Sequence, residues 1–225
     1  MTKLVPFKTV LNQTRALKGG EAALDALLPN PRPLDELQRL GDDRWLSQMS
    51  RCVFQAGFNW TMIDNKWPRF EQVFGGFDPG PLSLMSDDDL DGYLRANDIV
   101  RHARKILSIQ ANAQFVLDMA QERGAFGSMV TDWPRDDFVG LLALLKKRGS
   151  RLGGNTGALF LRFMGVDGFN MSPDVARALI ELGVVDKHPT SAKDFKAVQE
   201  AFSAWSDESG RPFMHISKVL AYWVG

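Results

Sequence analysis

The chain has little cysteine and little histidine, and both scarcities exclude classes of protein. The single cysteine, Cys52, rules out an internal disulfide and a cysteine-rich zinc site, and it fits a reducing compartment. The three histidines (His102, His188 and His215) are scattered without the spacing of a metal site. We therefore expect no metal and no other cofactor.

Long apolar runs and a net charge are lacking too. No apolar run reaches the roughly 18–20 residues that span a bilayer, and the first twenty residues lack the apolar core of a signal peptide. The 27 basic residues balance 27 acidic ones, which disfavours a protein that coats DNA by bulk charge. These features predict a cytoplasmic protein, without membrane contact, whose basic patches are local.

What is present is typical of a globular helical protein. The 225 residues are 44% hydrophobic and include 15 Phe and 6 Trp, enough for one large domain or two small lobes. Nearly every periodic segment has helical spacing, so the predicted fold class is all-α. Three predicted boundaries are a capping box at Ser86 that opens a helix to Asn97, a helix from Trp60 that is bent or restarted at Pro68, and a helix that begins at Pro173 after the N-cap Ser172.

A glycine-rich hairpin is the most informative local feature. Leu152-Gly153-Gly154 joins two helical patterns, and glycines let one backbone approach another closely. A following helix start offers unpaired N–H groups to an anion. Five basic residues lie between Phe138 and Val166 with no acid among them: Lys146, Lys147, Arg148, Arg151 and Arg162. This combination suits a nucleic-acid phosphate, and the alternative is a tight corner between packed helices.

The hairpin followed by an aspartate resembles the helix-hairpin-helix DNA glycosylases, which remove damaged bases from DNA. The resemblance implies that main-chain amides of the hairpin bind the DNA backbone and that Asp174 faces the flipped nucleotide. The residues implied in backbone binding are Lys147, Arg151, Gly153, Gly154, Asn155 and Thr156.

Within that superfamily, three further segments resemble 3-methyladenine DNA glycosylase I. They are FQAGFNW at 54–60, FEQVFGGFDP at 70–79 and IVRHARKI at 99–106, and the likeness extends over roughly residues 42–185. That family places a tryptophan of the base pocket where Trp60 stands. The resemblance implies a pocket made of Trp60, Phe54, Gln55, Asn59 and Cys52.

The chain also departs from this family. The resemblance places Cys52 where the family has a glutamate that recognises the base, and a family tyrosine has no counterpart. The two cysteines and two histidines of the family's structural zinc site are missing as well. The chain is therefore similar to the family as a divergent relative with a mixed site. From the residues alone, Phe54 fits the core better than a pocket, and Cys52 is interpreted as a small buried side chain and not as a nucleophile. Arg101 and Lys105 are interpreted as solvated.

Asp174 is the candidate catalytic residue. Cleavage of an N-glycosidic bond builds positive charge on the sugar, which a carboxylate stabilises. The alternative is that an acid in a first helical turn only stabilises the helix. Lyase members of the superfamily carry a hairpin lysine that attacks the sugar, and Asn155 stands at the matching position, so a water-using, monofunctional enzyme is implied.

We therefore expect an all-α, glycosylase-like bundle with two helical lobes around a cleft. Residues 1–40 are expected to form an N-terminal helical extension packed on a core of residues 41–225. The predicted function is monofunctional hydrolysis of a damaged base, of the alkylated purine class, from DNA as the partner, with no obligate protein partner. The alternatives are a catalytically inactive DNA-binding or scaffold protein on this fold, and a helical protein unrelated to nucleic acids.

Overall fold

A computed structural model describes residues 4–96 and 98–225 of the chain. Within these residues all regular structure is helical and no strand is present, which confirms the predicted all-α class. Two 3-10 helices, Gly75–Phe77 and Arg135–Asp137, accompany the α-helices. The α-helices are α1 Phe7–Leu17, α2 Glu21–Asp25, α3 Leu34–Arg39, α4 Asp42–Gln55, α5 Trp60–Val73, α6 Pro79–Ser83, α7 Asp87–Arg95, α8 Ala103–Arg123, α9 Phe126–Thr131, α10 Phe138–Arg148, α11 Asn155–Met164, α12 Pro173–Glu181, α13 Ala192–Ser209 and α14 Phe213–Val224.

Local sequence signals set several of these boundaries. Ser86 and Asp89 form the predicted capping box at the start of α7; this helix ends at Arg95, and the predicted end at Asn97 lies outside the described residues. The Ser172 hydroxyl accepts a hydrogen bond from the Val175 amide at 3.2 Å, as expected of an N-cap. Of the two predicted alternatives at Pro68, a bend or a restart, the restart is not observed, because α5 continues through this residue.

The helices group into two compact units. Unit 1 comprises residues 4–32, 134–140 and 165–225. Its core is aromatic, with the Phe169 and Phe202 rings stacked 4.2 Å apart and Trp205 fully buried beside Phe202. The N-terminal segment is tied to α13, because the Trp205 indole donates to the Val5 carbonyl at 2.9 Å. The N-terminal helices are thus an integral part of this unit.

Unit 2 comprises residues 33–133 and 141–164. Helix α4 lies against α5, α8, α9 and α11, and it carries the fully buried Trp45. Along α5 the Trp67 ring stacks on Phe70 and Phe77, with centroids 4.9 and 5.3 Å away. The two units do not follow the predicted division into residues 1–40 and 41–225, because α3 belongs to unit 2 while the preceding residues belong to unit 1.

Candidate functional site

The hairpin in unit 2 is a six-residue connection between the end of α10 at Arg148 and the start of α11 at Asn155. Leu152 anchors it in the core, with 1% of its surface exposed. Gly154 has φ +58, a conformation that glycine adopts readily. A Cβ at Gly157 would lie 2.6 Å from the Leu152 carbonyl oxygen, so this position also requires glycine. The hairpin therefore depends on Gly154 for its turn and on Gly157 for its close approach to α11.

Asn112, a buried residue of α8, forms hydrogen bonds with the hairpin backbone. The Asn112 side chain accepts a hydrogen bond from the Ser150 amide at 2.7 Å and donates to the Ser150 carbonyl at 3.1 Å. Asn112 is fully buried between the apolar positions Ile109 and Val116. Sequence reasoning missed this residue, although an amide within the apolar face of a helix was the available signal.

The basic residues around the hairpin differ in their surroundings. Arg148 forms salt bridges with Asp118 at 3.3 Å and Glu122 at 2.8 Å, so it is engaged within the unit. Arg151 has φ +62, which is uncommon for a residue with a side chain. The exposed members of the predicted backbone-binding set are Lys147, Arg151, Gly154 and Asn155, while Gly153 and Thr156 are half-buried. The hairpin thus exposes two basic side chains, those of Lys147 and Arg151, together with Gly154 and Asn155.

Two residues assigned to the base pocket are buried. Phe54 is fully buried and meets the Phe70 ring at 4.8 Å with an edge-to-face geometry. Cys52 is also buried, and this burial raises the pKa of its thiol to about 11. The thiol is therefore neutral at physiological pH, and it brings no charge to the position where the resembled family has a glutamate.

Gln55 joins a polar cluster between α4 and α5. Its Nε2 donates to the Oδ1 atom of Asp64 at 2.7 Å, and the same oxygen accepts a hydrogen bond from the Arg51 Nε at 2.9 Å. The Gln55 side chain is 4% exposed, and its Oε1 atom is buried without a hydrogen-bond partner among the described residues. Asp64 and Arg51 were not identified from the sequence, since charged residues on amphipathic helices are usually solvated.

Trp60 begins α5 and is an exposed aromatic side chain. It is 44% exposed and meets the Phe163 ring of α11 at 6.0 Å; Phe163 is itself 45% exposed. The preceding residue, Asn59, accepts a hydrogen bond from the Met62 amide at 3.0 Å and so caps the helix. The structure therefore brings Trp60 to the surface, whereas Asn59 has a structural task.

Lys105 on α8 is buried, which differs from the expectation from the sequence. The residue was expected to be solvated, but it is buried, and its Nζ donates to the carbonyl oxygens of Phe54 at 3.1 Å and Ala56 at 2.6 Å. The ammonium also lies 4.4 Å from the centre of the Phe58 ring. Burial, and to a lesser extent the charge of Arg151, lowers the pKa of Lys105. This lysine stabilises the C-terminal end of α4, whose last carbonyls lack partners within the helix.

Asp174 lies in unit 1, in the first turn of α12. Its carboxylate is 52% exposed and forms an i,i+3 ion pair with Arg177, with 3.5 Å between Nη2 and Oδ1. The Arg177 guanidinium also donates to the Val224 carbonyl. An accessible carboxylate at a helix N-terminus is compatible with catalysis and with helix stabilisation, so its convergence with the hairpin on one deoxyribose stays a prediction.

In the described part of the chain, no group of three or more His, Cys, Asp or Glu residues is arranged to hold a metal ion. None of the helices in residues 4–96 and 98–225 is long and apolar enough to cross a membrane.

Comparison with known proteins identifies related sequences. A family model described as methyladenine glycosylase matches residues 38–138, which include the polar cluster and Trp60. DNA-3-methyladenine glycosylase 1 of Escherichia coli strain K12 is 32% identical over 76 residues, which make up 34% of this chain and 41% of that protein. The match therefore spans less than half the length of this curated relative.

Comparison with solved structures concerns the fold. The 8-oxoguanine DNA glycosylase of Methanocaldococcus jannaschii superimposes with a TM-score of 0.59 at 14% identity, over 96% of this chain and 94% of its own. The 3-methyladenine DNA glycosylase I of Staphylococcus aureus gives a TM-score of 0.50 at 24% identity, over 56% of this chain and 77% of its own. The likeness to the archaeal fold thus extends beyond residues 38–138, over nearly the whole chain.

Proposed function

We propose that this chain, a divergent relative of 3-methyladenine DNA glycosylase I in the helix-hairpin-helix DNA glycosylase superfamily, is a monofunctional DNA glycosylase. It hydrolyses the N-glycosidic bond of a damaged base, of the alkylated purine class, in base excision repair. Its partner is DNA that contains such a base, and the reaction needs water but no cofactor. The proposed location is the cytoplasm.

The observation that carries this proposal is the hairpin together with its support. Asn112 holds the Ser150 backbone through two hydrogen bonds, so the loop keeps its shape when no ligand is bound. The start of α11 contributes main-chain N–H groups and the positive end of a helix dipole, both of which favour a phosphate. Arg151 and Lys147 add exposed positive charge beside it. A preformed anion site of this kind fits DNA backbone binding.

Asp174 is the proposed catalytic carboxylate. As the base departs, positive charge develops on the deoxyribose, and a nearby carboxylate stabilises that charge. The same group can orient or deprotonate the attacking water. The location of Asp174 in a first helical turn favours its ionised form, because the helix dipole is positive there. The proposal requires the carboxylate to reach the sugar of the nucleotide that the hairpin holds.

The monofunctional assignment depends on Asn155. A lyase step would need a primary amine at the sugar, whereas an asparagine amide does not form a Schiff base. Trp60 supplies the face on which the flipped base stacks, and an alkylated purine, which is cationic in DNA, gains more from a π-face than a neutral base does. The products are then a free base and an abasic site whose strand remains intact.

The test is release of bases from methylated DNA, identified by mass spectrometry, with strand integrity followed on a denaturing gel. Asp174→Asn should abolish base release while binding to the DNA persists. Gly153→Glu, which introduces a negative charge into the hairpin, should abolish binding. Asp88→Asn, a change at another exposed first-turn aspartate, is the matched control and should match the unmodified protein.

Other outcomes would point elsewhere. DNA binding that weakens with salt, without release of any base, would support the inactive DNA-binding alternative. No salt-dependent DNA affinity at all would contradict both functions. Strand cleavage by the unmodified protein would contradict the monofunctional assignment.

A further inference from the structure

The polar cluster beside Trp60 contains an acceptor that has no donor. Gln55 directs its Nε2 to Asp64, and its Oε1 atom is buried without a partner among residues 4–96 and 98–225. If the Gln55 amide were flipped, its Oε1 atom would face the Asp64 carboxylate, and two acceptors would meet without a donor. The Asp64 carboxylate therefore fixes the orientation of the amide. A buried acceptor without a donor is costly and calls for an explanation. A ligand N–H group would supply the missing donor.

Asp64 offers a second acceptor in the same place. The hydrogen bonds from Gln55 and Arg51 both end on its Oδ1 atom, so Oδ2 remains available to another donor. The carboxylate is 38% exposed and can therefore be reached from solvent. Arg51 acts as a positioning residue, because its Nε fixes the carboxylate beside Gln55.

An aromatic surface lies next to these acceptors. Trp60 and Asp64 are four residues apart on α5, a spacing that places two side chains on the same face of a helix, about 5–6 Å apart at their Cβ atoms. Phe163 extends the aromatic surface from α11. A planar ligand stacked on Trp60 would thus have its edge toward Asp64 and Gln55.

Cys52, which occupies the place of the family's glutamate, does not supply a negative charge for a cationic base. Cys52 lies close enough to Asp64 for that carboxylate to contribute to the raised pKa of the thiol, and burial keeps the thiol neutral. Asp64, which lies one turn after Trp60 on α5, can instead offer a negative charge to a cationic ligand.

We propose that Asp64, together with Gln55 Oε1, recognises the N–H edge of a positively charged, N-alkylated purine that stacks on Trp60. This inference rests on the proposed glycosylase function. It assigns to Asp64 of α5 the base recognition for which the resembled family uses a glutamate that this chain lacks. A carboxylate and a π-face both favour a cation over a neutral base. Selection for the charged base would thus come from a residue that sequence reasoning did not single out.

The experiment compares Asp64→Asn with the unmodified protein on two DNA duplexes. Asparagine keeps the shape of the side chain and an acceptor for Gln55, but it removes the charge. We expect kcat/KM for release of 3-methyladenine from methylated DNA to fall by about ten- to a hundredfold, as is typical for loss of a charge-assisted hydrogen bond. Affinity for a duplex with a tetrahydrofuran abasic-site analogue should not change, because that DNA has no base to recognise.

Two further variants separate charge from structure. Asp64→Glu keeps the charge and should retain more activity than Asp64→Asn. Asp91→Asn removes another exposed aspartate that pairs with an arginine, Arg95, and should behave as the unmodified protein. Thermal unfolding of each variant shows that it is folded at the assay temperature.

The outcomes distinguish this inference from the proposed function. If the unmodified protein releases no base, the glycosylase function fails and the inference fails with it. If the unmodified protein is active and Asp64→Asn equals the Asp91→Asn control, only the inference fails. Equal losses in Asp64→Asn and Asp64→Glu, or an equal loss of affinity for the abasic duplex, would overturn it in favour of a structural role.

Discussion

Two tryptophans on α5 lie two helical turns apart and have opposite surroundings. Trp67 is buried between the rings of Phe70 and Phe77, and its indole donates to the Ser47 hydroxyl at 3.1 Å. Trp60 begins the helix, is 44% exposed and meets the Phe163 ring edge to face, with 6.0 Å between the ring centroids. The difference indicates that one end of α5 maintains the fold of unit 2, whereas the other end exposes the tryptophan that we assign to the proposed base pocket. If the two ends have separate roles, variants at the buried end should lower stability and variants at the exposed end should lower activity.

Trp67→Ala should have the largest effect on stability. Loss of a buried tryptophan is expected to lower the free energy of unfolding by about 3–5 kcal/mol, because a cavity remains in the aromatic stack. Denaturant unfolding with an unchanged m-value measures this loss. A cost no larger than that of Trp60→Ala would break the comparison between the two tryptophans.

Asn112→Ala should be the next most damaging change. It leaves the amide and the carbonyl of Ser150 without their partners, at a cost of about 2–3 kcal/mol. Hydrogen exchange at the Ser150 amide should accelerate, and affinity for DNA should fall because the hairpin loses its support. Gln121→Ala, at an exposed position of the same helix, is the matched control. Unchanged exchange at Ser150 would contradict the assigned role of Asn112.

Burial of the Cys52 thiol should make the free energy of unfolding depend on pH. Its pKa is raised from 9.0 to about 11 by burial, so between these values the unfolded chain loses the thiol proton while the folded chain keeps it. The unfolded state then binds fewer protons, and the free energy of unfolding falls as pH rises, by about 2 kcal/mol at pH 10.5. Cys52→Ser lacks this contribution. Unfolding curves of both proteins at pH 8 and 10.5 measure it, and parallel pH profiles would show that the thiol is solvated.

Trp60→Ala should have the smallest effect on stability but a clear effect on function. We expect the free energy of unfolding to change by less than about 1 kcal/mol, because the side chain is exposed. Loss of the ring on which the flipped base is proposed to stack should slow base release about tenfold. Leu84→Ala removes another exposed apolar side chain and is the control for nonspecific effects. A large loss of stability in Trp60→Ala would mean that the exposed end also maintains the fold.

The helices were largely predictable because their signals are local. The capping box at Ser86 and the start of α12 after Ser172 depend on residues within one turn, and both are present as predicted. Lys105 was misread because its partners, the carbonyls of Phe54 and Ala56, are about fifty positions away along the chain. A periodic pattern indicates which face of a helix is apolar, but not which distant carbonyl meets a lysine on its edge.

The candidate site was predictable in part for the same reason. Glycines and basic residues mark the hairpin locally, whereas the support from Asn112 arises only when α8 lies beneath it. The exposure of Trp60 could not be separated from the burial of Trp67 by spacing alone, because both fit a helical pattern. Asp64 carries no sequence signal, since its partners Gln55 and Arg51 lie on another helix.

The positions of the two units along the chain affect the order in which they can fold during translation. Unit 2 is interrupted only by residues 134–140, so all of its residues have left the ribosome soon after residue 164 is translated. Unit 1 combines residues 4–32 and 134–140 with residues 165–225, and the Trp205 indole donates a hydrogen bond to the Val5 carbonyl. The N-terminal helices therefore cannot complete unit 1 before α13 and α14 have been synthesised. The unit with the hairpin is expected to fold before the unit with the proposed catalytic carboxylate.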